Sequence, residues 1–233
     1  DVRGVYGETL TKEIAYNIGV AFSQFVESET IIVGHDGRNS NIEILHSVAA
    51  GVKSNDKKVF YIGTVPTDVV YSLSGLMDLP GLIITASHNP KEWNGFKFCN
   101  SGASPIGIES GLLEIKKLAS QNHKESSEQT NINKEEIIST YIDHLKTIVH
   151  PEDIDSSIKF AVDGGNGAIG SVIDNLSSVY SLNYEGIYMD VDGNFPNHPA
   201  DPSNPENLVE LVKLVKKNKY EFGVAFDGDA DRA

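Results

Sequence analysis

The segment "LIITASHNPKEWNGFKF", residues 82–98, runs an apolar strand into a short polar loop and then into a second apolar stretch. Ser87 and His88 stand in the loop, which stops at Pro90, and Lys97 lies between two phenylalanines where the apolar pattern resumes. An apolar run bounded by turn residues is typical of a buried strand. Because ligands bind beyond the carboxyl ends of strands in open α/β sheets, this loop is a candidate for chemistry.

Helix and strand patterns alternate on both sides of this segment. Residues 11–27 place Ile14, Ile18 and Phe22 on one helical face, and a β-branched run at 30–33 follows at once. The alternation continues to residue 148 and starts again with "IKFAVDGGNG" at 158–167. We therefore predict two consecutive α/β domains, with mainly parallel mixed sheets flanked by helices.

The best candidate for a domain boundary is "HPEDIDSS", residues 150–157, whose proline, acids and serines interrupt the helix and strand pattern. This places the first domain at 1–150 and the second at 151–233, where it is expected to be incomplete. The polar segment at 119–135 has lost its periodicity, which predicts a surface loop. The chain starts without Met and stops directly after a strand, so we expect a piece of a longer protein.

Composition narrows the class of function. The net charge is −14, and the basic residues are scattered rather than striped, which argues against a nucleic-acid surface. No apolar run approaches the roughly 18 residues of a membrane span, so no membrane partner is expected. The single cysteine, Cys99, cannot form an internal disulfide, and we expect a reducing, cytoplasmic location.

Three predicted strands end in Asp-Gly, at Asp36, Asp163 and Asp227. Asp and Gly suit any strand-to-loop turn, so Asp36 and Asp163 are explained equally well without chemistry. The third strand is different because "AFDGDADR", residues 225–232, places aspartates at alternate positions. Neighbouring carboxylates repel one another, and a divalent cation with a preference for oxygen, Mg²⁺ or Ca²⁺, would neutralise them. The candidate ligands are Asp227, Asp229 and Asp231.

The aspartate motif is also similar to two other known motifs. An EF-hand loop needs Gly where Arg232 stands, and it lies between helices, so we exclude it. A haloacid dehalogenase-type phosphatase also places D-x-D after a strand, with Asp227 as nucleophile and Asp229 as acid or base. That alternative stays open on the motif alone.

The segment "GNGAIG", residues 165–170, matches a dinucleotide-binding pattern, and Glu185 lies at about the required distance. We favour a tight turn between strand and helix, because the acid is not at the end of the next predicted strand. Ser87 lacks the G-x-S-x-G elbow of a serine hydrolase. A serine that carries a phosphoryl group needs a cation and an acid or base, which the aspartate loop and Lys97 could supply.

Together these motifs resemble the α-D-phosphohexomutase superfamily, most closely its bacterial phosphomannomutase/phosphoglucomutase branch. "TASHNPKEWNGFK" at 85–97 is similar to the phosphoserine loop, and "FDGDADR" at 226–232 to the metal loop. "VDGNFPNHPADPSNPENL" at 191–208 and the opening "DVRGVYGETLT" at 1–11 are also typical of the family. The resemblance implies a four-domain enzyme with its active site in the central cleft. This chain would cover domain 1 and most of domain 2, without the sugar-recognition loop.

The resemblance also implies a role for each matching residue. Ser87 would be the phosphoserine, and one of its phosphate oxygens would hold Mg²⁺ together with Asp227, Asp229 and Asp231. The departures from the family pattern, Val2, Ala86 and Ala230, replace no ligand.

Four further residues would act on the transferring group. Lys97 and His88 would serve proton transfer or charge stabilisation at the sugar hydroxyl, and Arg3 and Arg232 would steady the phosphoryl group, because a guanidinium fork matches its oxygens. The implied reaction interconverts hexose 6-phosphate and hexose 1-phosphate through a hexose 1,6-bisphosphate, which also serves as activator. The partners are a phosphosugar and the missing C-terminal domains. The alternatives are the phosphatase and a phosphosugar-binding piece without turnover, since this part alone is expected to be inactive or very weak.

Overall fold

The computed structural model describes residues 1–121 and 132–233. In chain order the strands are β1 Val2–Val5, β2 Thr30–His35, β3 Lys58–Thr64, β4 Gly81–Ile84, β5 Trp93–Asn100, β6 Ser104–Pro105, β7 Lys159–Asp163, β8 Asn183–Ile187 and β9 Phe222–Ala225. The α-helices are α1 Lys12–Phe25, α2 Asn41–Lys53, α3 Thr67–Met77, α4 Leu113–Ala119, α5 Ile138–Ile148, α6 Ile173–Tyr180 and α7 Val209–Asn218.

The strands form two sheets. The first has the order β1-β5-β4-β2-β3, with β6 added on β5, and the second has the order β8-β7-β9. All pairs of the second sheet are parallel, as are β2 with β3 and β2 with β4. Strand β5 runs antiparallel to β4, because the loop 85–92 is too short for the crossover of a dozen or more residues that a parallel neighbour needs. Strand β1 also pairs antiparallel with β5.

The prediction of two α/β units with mixed sheets and flanking helices is confirmed. The boundary proposed at 150–157 stays a prediction. Of the polar segment predicted at 119–135, residues 122–131 lie outside the described part of the chain. Across the residues that are described, no helix combines the length and apolar character needed to cross a membrane.

Alternation along β2 divides the first core into two layers. Ile31 and Val33 belong to the cluster on the side of α1 and α2, whereas Ile32 belongs to the cluster on the side of α3. Strand β4 alternates in the same way, with Ile83 on the α3 side. Side chains point to opposite faces of a strand with a period of two, so these central strands must be apolar throughout.

The core on the α3 side is shared by both sheets. Ile62 and Val70 of the first unit lie in one buried cluster with Tyr141 of α5 and with Val172 and Ile173 at the start of α6. A continuous apolar core between two sheets fixes how they sit on one another. The carboxyl ends of β4 and β9, where the two loops of the candidate site begin, are therefore fixed relative to each other.

Helices α1 and α2 pack with their backbones in close contact. A Cβ added at Gly19 would lie 2.2 Å from the carbonyl oxygen of Val48, and one added at Gly51 would lie 2.2 Å from the carbonyl oxygen of Tyr16. Both glycines are buried inside their helices. Close approach of the backbones, rather than a special turn, requires glycine at these positions.

We expect Gly19→Ala to lower the free energy of unfolding by roughly 1–3 kcal/mol, because the added methyl group forces the two helices apart. The matched control is Gly75→Ala in α3, where a Cβ would meet only Ala103 Cβ at 3.7 Å. Because alanine has a better helix propensity than glycine, Gly75→Ala should leave the free energy of unfolding unchanged or raise it by up to about 1 kcal/mol. Urea unfolding measures both values, and equal effects would contradict the packing explanation.

Candidate active site

Two loops from different sheets meet at the candidate site. The loop 85–92 follows β4, and the loop 226–232 follows β9. A Cβ at Gly228 would lie 2.5 Å from the carbonyl oxygen of Ser87, so the loops touch through their backbones. The amide of Ala168 donates to the carbonyl of Gly228 at 2.9 Å and supports the second loop from behind.

Ser87 is fully buried and has a left-handed backbone, with φ at 54°. Its Oγ donates to Asp227 Oδ2 at 2.5 Å, and Arg232 Nη2 contacts the same Oγ. A left-handed φ is rare for residues other than glycine and is found where surrounding contacts enforce it. The hydroxyl is thereby aimed at the acidic loop, between a carboxylate and a guanidinium.

Three carboxylates form a cluster beside this hydroxyl. Asp227, Asp229 and Asp231 each offer an oxygen, and these oxygens lie within 4.8 Å of one another. Burial and the neighbouring charge of Asp229 raise the pKa of Asp227 to about 6. Among the described residues, Asp229 Oδ1 is buried without a hydrogen-bond partner. Hard oxygen donors, mutual repulsion and an unsatisfied buried oxygen fit a divalent cation.

Lys97 neutralises part of this charge from β5. Its Nζ donates to Asp229 Oδ2 at 2.6 Å and also contacts Asp231 Oδ2. Thr67 Oγ1, at the start of α3, donates to the same oxygen of Asp229 at 2.7 Å. Burial opposes ionisation of Asp229, but the charge and hydrogen bond of Lys97, with the help of Thr67, outweigh it and lower the pKa of that carboxyl.

Arg232 and His88 border the open side of the cluster. Arg232 donates to Asp227 Oδ2 from Nε at 3.1 Å and from Nη2 at 2.8 Å, and Nη2 also lies against His88 Nδ1. Burial and the positive charge of Arg232 lower the pKa of His88. Ser87 Oγ and His88 Nδ1 contact the same Arg232 nitrogen, and a neutral imidazole in this position can accept a proton.

Arg3 reaches the same region from β1. Its Nη2 donates to Asp1 Oδ2 at 3.0 Å, whereas Nη1 is buried with no hydrogen-bond partner in residues 1–121 and 132–233. Burial lowers the pKa of Arg3, and the charges of Asp229 and Asp36 act in the opposite direction. A partly buried guanidinium whose Nη1 donors are unused can still bind an anion.

All eight residues that the resemblance implied therefore lie at one edge of the structure. Their proposed chemical roles stay predictions. The residues are Arg3, Ser87, His88, Lys97, Asp227, Asp229, Asp231 and Arg232.

Sequence reasoning missed several residues that build the site. Asp36 was explained equally well as a turn residue, yet it is fully buried and accepts hydrogen bonds from Thr85 Oγ1 at 2.8 Å and from Arg38 Nε at 3.1 Å. Arg38 directly follows the first Asp-Gly at the end of a predicted strand, and this position was the sequence feature that could have indicated a role in the site. Thr67 gave no signal, because threonine at the start of a helix is ordinary.

The glycine motif at 165–170 is a structural support. A Cβ at Gly167 would lie 2.8 Å from the carbonyl oxygen of Gly228, so the aspartate loop packs directly against that turn. Glu185 lies within β8, and its carboxylate accepts hydrogen bonds from Asn218 and Tyr220. These contacts favour the interpretation as a tight turn over a dinucleotide site.

His198 and Asp163 form a pair behind the aspartate loop. His198 Nε2 lies 3.0 Å from Asp163 Oδ2, and Nδ1 lies 2.8 Å from the carbonyl oxygen of Pro199. Both neighbours are acceptors, so the protonated ring satisfies both. The hydrogen bond to Asp163 accordingly raises the pKa of His198 above its ordinary value, although burial opposes this.

Known proteins similar to this chain in sequence and in structure belong to one family. A family model described as "Phosphoglucomutase/phosphomannomutase, alpha/beta/alpha domain I" matches residues 1–126, and the corresponding domain II model matches residues 139–233. A phosphomannomutase of Vibrio cholerae is 36% identical over 100% of this chain and 52% of its own length. A phosphomannomutase of Methanocaldococcus jannaschii is 35% identical over 100% of this chain and 51% of its own length.

Solved structures agree with these matches. The crystal structure of a phosphoglucomutase/phosphomannomutase family protein from Burkholderia thailandensis superposes with a TM-score of 0.84 at 31% identity, covering 98% of this chain and 51% of that one. The chain thus spans about half the length of the relatives it matches.

We expect a hard divalent cation to bind the aspartate cluster and raise the melting temperature of the chain, since it binds only the folded state. Asp229→Asn should weaken Mg²⁺ binding by about 100-fold or more, because even residues outside the ligand sphere are worth about 10- to 100-fold. Asp143→Asn, exposed on α5, is the control. Isothermal titration with MgCl₂ measures the affinities, and unchanged binding by Asp229→Asn would contradict this site.

The His198 pair predicts a pH dependence of stability. Folding raises the pKa of His198, so the protonated ring stabilises the folded state. This contribution to the free energy of unfolding is complete below the ordinary pKa of 6.5 and is lost as pH rises through the pKa of the folded state. The difference in unfolding free energy between the unaltered chain and His198→Gln should therefore shrink between pH 5.5 and pH 8.5, as measured in urea. His46→Gln, on the exposed side of α2, is the control, and a difference that grows with pH would be the wrong sign.

Proposed function

This chain belongs to the phosphoglucomutase/phosphomannomutase family, and we propose that it provides the phosphoryl-donor half of a phosphohexomutase. The resemblance seen in the motifs is confirmed. The reaction proposed is the interconversion of hexose 6-phosphate and hexose 1-phosphate, with mannose or glucose as the sugar. The chain spans about half the length of its relatives. The proposal therefore includes the activity of the whole protein and its substrate. It also includes recognition of the sugar by sequence outside these residues.

The position of the Ser87 hydroxyl is the observation that carries this proposal. It is buried, it donates to Asp227 at 2.5 Å, and it contacts the guanidinium of Arg232. A phosphoryl group on this oxygen would lie between the aspartate cluster and the arginine. Phosphoryl transfer needs this kind of positioning and charge stabilisation more than it needs covalent chemistry by the protein.

In the first half-reaction the bond between phosphorus and Ser87 Oγ breaks, and a bond to a hydroxyl oxygen of the sugar phosphate forms. The proton of that hydroxyl passes to His88, whose lowered pKa keeps it neutral beforehand, and from His88 to the departing Ser87 oxygen, which becomes a hydroxyl. The second half-reaction moves the proton in the opposite direction. The resulting hexose 1,6-bisphosphate turns around, and its other phosphate returns to Ser87. Hexose 1,6-bisphosphate added from solution would load an unmodified Ser87 in the same way.

Charged residues hold the transferring group while this happens. Arg232 lies against Ser87 Oγ, and the unused Nη1 of Arg3 can donate to a phosphoryl oxygen. Lys97, paired with Asp229 and Asp231, places positive charge on the opposite side. A guanidinium presents parallel donors that match phosphoryl oxygens.

Asp227, Asp229, Asp231 and an oxygen on Ser87 would hold Mg²⁺, which we favour over Ca²⁺ because phosphate-binding sites commonly use it. When bound, the ion supplies positive charge against the phosphoryl oxygens. The residues of the chain then keep the serine oxygen aimed and exclude water from it, without which transfer would become hydrolysis. A cytoplasmic location is part of the same proposal.

The phosphatase alternative has one supporting observation, since Asp227 closely follows strand β9 as an aspartyl nucleophile follows a strand. Its Oδ2 is already engaged by Ser87 and by Arg232. A third alternative is a chain that binds Mg²⁺ and phosphosugar without any transfer. The three differ in the residue that becomes phosphorylated.

We expect incubation with radiolabelled hexose 1,6-bisphosphate and MgCl₂ to place acid-stable phosphate on Ser87 of the 233-residue chain. Ser87→Ala should abolish the label, because the Ser87 hydroxyl is the one held between Asp227 and Arg232, whereas the nearby Thr67 hydroxyl donates to Asp229. Ser178→Ala, exposed on α6, should label normally. Phosphopeptide mapping by mass spectrometry identifies the modified residue.

Two other results would contradict the proposal. Hydroxylamine-labile phosphate on Asp227 that persists in Ser87→Ala would establish the phosphatase chemistry. Metal-dependent binding of the bisphosphate with no phosphorylated residue would favour the binding function for this chain.

A further inference from the structure

Arg38 is a fully buried arginine whose five N–H donors are all engaged. Nε donates to Asp36 Oδ2 at 3.1 Å, and this carboxylate is also fully buried. Nη1 and Nη2 donate to four backbone carbonyls of the loop that carries the serine. These carbonyls belong to Ser87, Asn89, Pro90 and Trp93, at 2.7, 2.7, 2.7 and 2.9 Å.

The same arginine is tied to the amide of Ser87 through its counter-ion. Asp36 Oδ2 accepts from Thr85 Oγ1 at 2.8 Å, and Thr85 Oγ1 accepts from the amide of Ser87 at 2.8 Å. Both the N–H and the C=O of Ser87 are therefore fixed by one ion pair. This closed ring of hydrogen bonds accounts for the left-handed backbone of Ser87.

The second unit covers Arg38 with an aromatic ring. Arg38 Cζ lies 5.4 Å from the centre of the Phe195 ring, within cation–π range. Phe195 belongs to the motif at 191–208, which the function proposed above does not use. That motif is held against the first unit by Asn39 Nδ2, which donates to Asn194 Oδ1 at 3.0 Å, and by Gly193, where a Cβ would lie 2.5 Å from the amide nitrogen of Asn39.

We propose that Arg38 is a positioning residue for phosphoryl transfer at Ser87, and that Phe195 holds its guanidinium in place from the second unit. Arg38 touches no reacting atom in this arrangement. It fixes the direction of the Ser87 oxygen through the peptide groups on both sides of that residue. This inference rests on the proposed function for its catalytic consequence, but its structural part does not.

Lysine cannot replace this arginine. An ammonium offers three donors from one point, whereas the four carbonyls and the carboxylate are reached by a planar fork from three nitrogens. Arg38→Lys preserves the charge opposite Asp36 and removes the fork. Misplacement of a reacting group by about 1 Å can cost a factor of about 100 in rate.

The experiment measures labelling of Ser87 by hexose 1,6-bisphosphate and hydrogen–deuterium exchange of the chain. For Arg38→Lys we expect the labelling rate at saturating bisphosphate to fall about 10- to 100-fold, with half-saturation and Mg²⁺ affinity unchanged. Millimolar guanidinium should restore part of the labelling rate to Arg38→Ala but not to Arg38→Lys.

Phe195→Leu should slow labelling about two- to fivefold, as expected for a lost cation–π contact. Phe222→Leu, an exposed phenylalanine on β9, is the matched control.

Each result decides the matter. An unchanged labelling rate in Arg38→Lys, or a loss without guanidinium rescue in Arg38→Ala, would overturn the proposal. If the unaltered chain takes no label, the proposed function fails, and exchange alone decides the positioning. Faster exchange confined to 85–93 in Arg38→Lys supports it, and unchanged or uniformly faster exchange refutes it. If both Arg38 variants fail to fold, the labelling rates of Phe195→Leu and Phe222→Leu are compared. Slower labelling in Phe195→Leu alone supports the proposal, and equal rates refute it.

Discussion

Repulsion among three carboxylates held within 4.8 Å is the constraint on which the rest of the site depends. Two of these groups are buried, so water cannot screen them, and burial of charge is costly unless it is paired. Lys97 and Arg232 supply positive charge from different directions, and Thr67 supplies a hydroxyl. The fold must therefore deliver a lysine from β5 and a threonine from α3 to a loop that follows β9. The second sheet can hold its acidic loop in this form because the first sheet lies against it.

The general fold could be predicted from sequence because its signals are local. Apolar runs at 31–33 and 82–84 alternate between two covered faces, and this requirement makes them apolar throughout. The antiparallel direction of β5 could also have been inferred, since the loop that precedes it is too short for a crossover. The register between the two sheets has no local signal. It comes from a core assembled from residues more than a hundred positions apart, such as Ile62 and Ile173.

The part of the site that was predicted from sequence also rests on local signals. Aspartates at alternate positions and a serine in a strand-end loop are visible in the sequence, because each group is short and contiguous. Arg38 was not found because its partners are mostly backbone carbonyls, and a carbonyl is present at every residue. Phe195 was not found because a cation–π contact across 157 positions leaves no pattern in either segment. Side chains that act on peptide groups are thus harder to predict than side chains that act on one another.

The core shared by the two sheets also bears on how the chain is made. Ile62 and Val70 are synthesised early, but their buried neighbours Val172 and Ile173 follow about a hundred residues later. Until those residues have left the ribosome, the α3 side of the first sheet presents an apolar face that α3 and α5 cover only in part. Nascent chains with such a face are prone to aggregation and are bound by chaperones. The first sheet therefore has to remain protected during translation until the start of α6 has emerged.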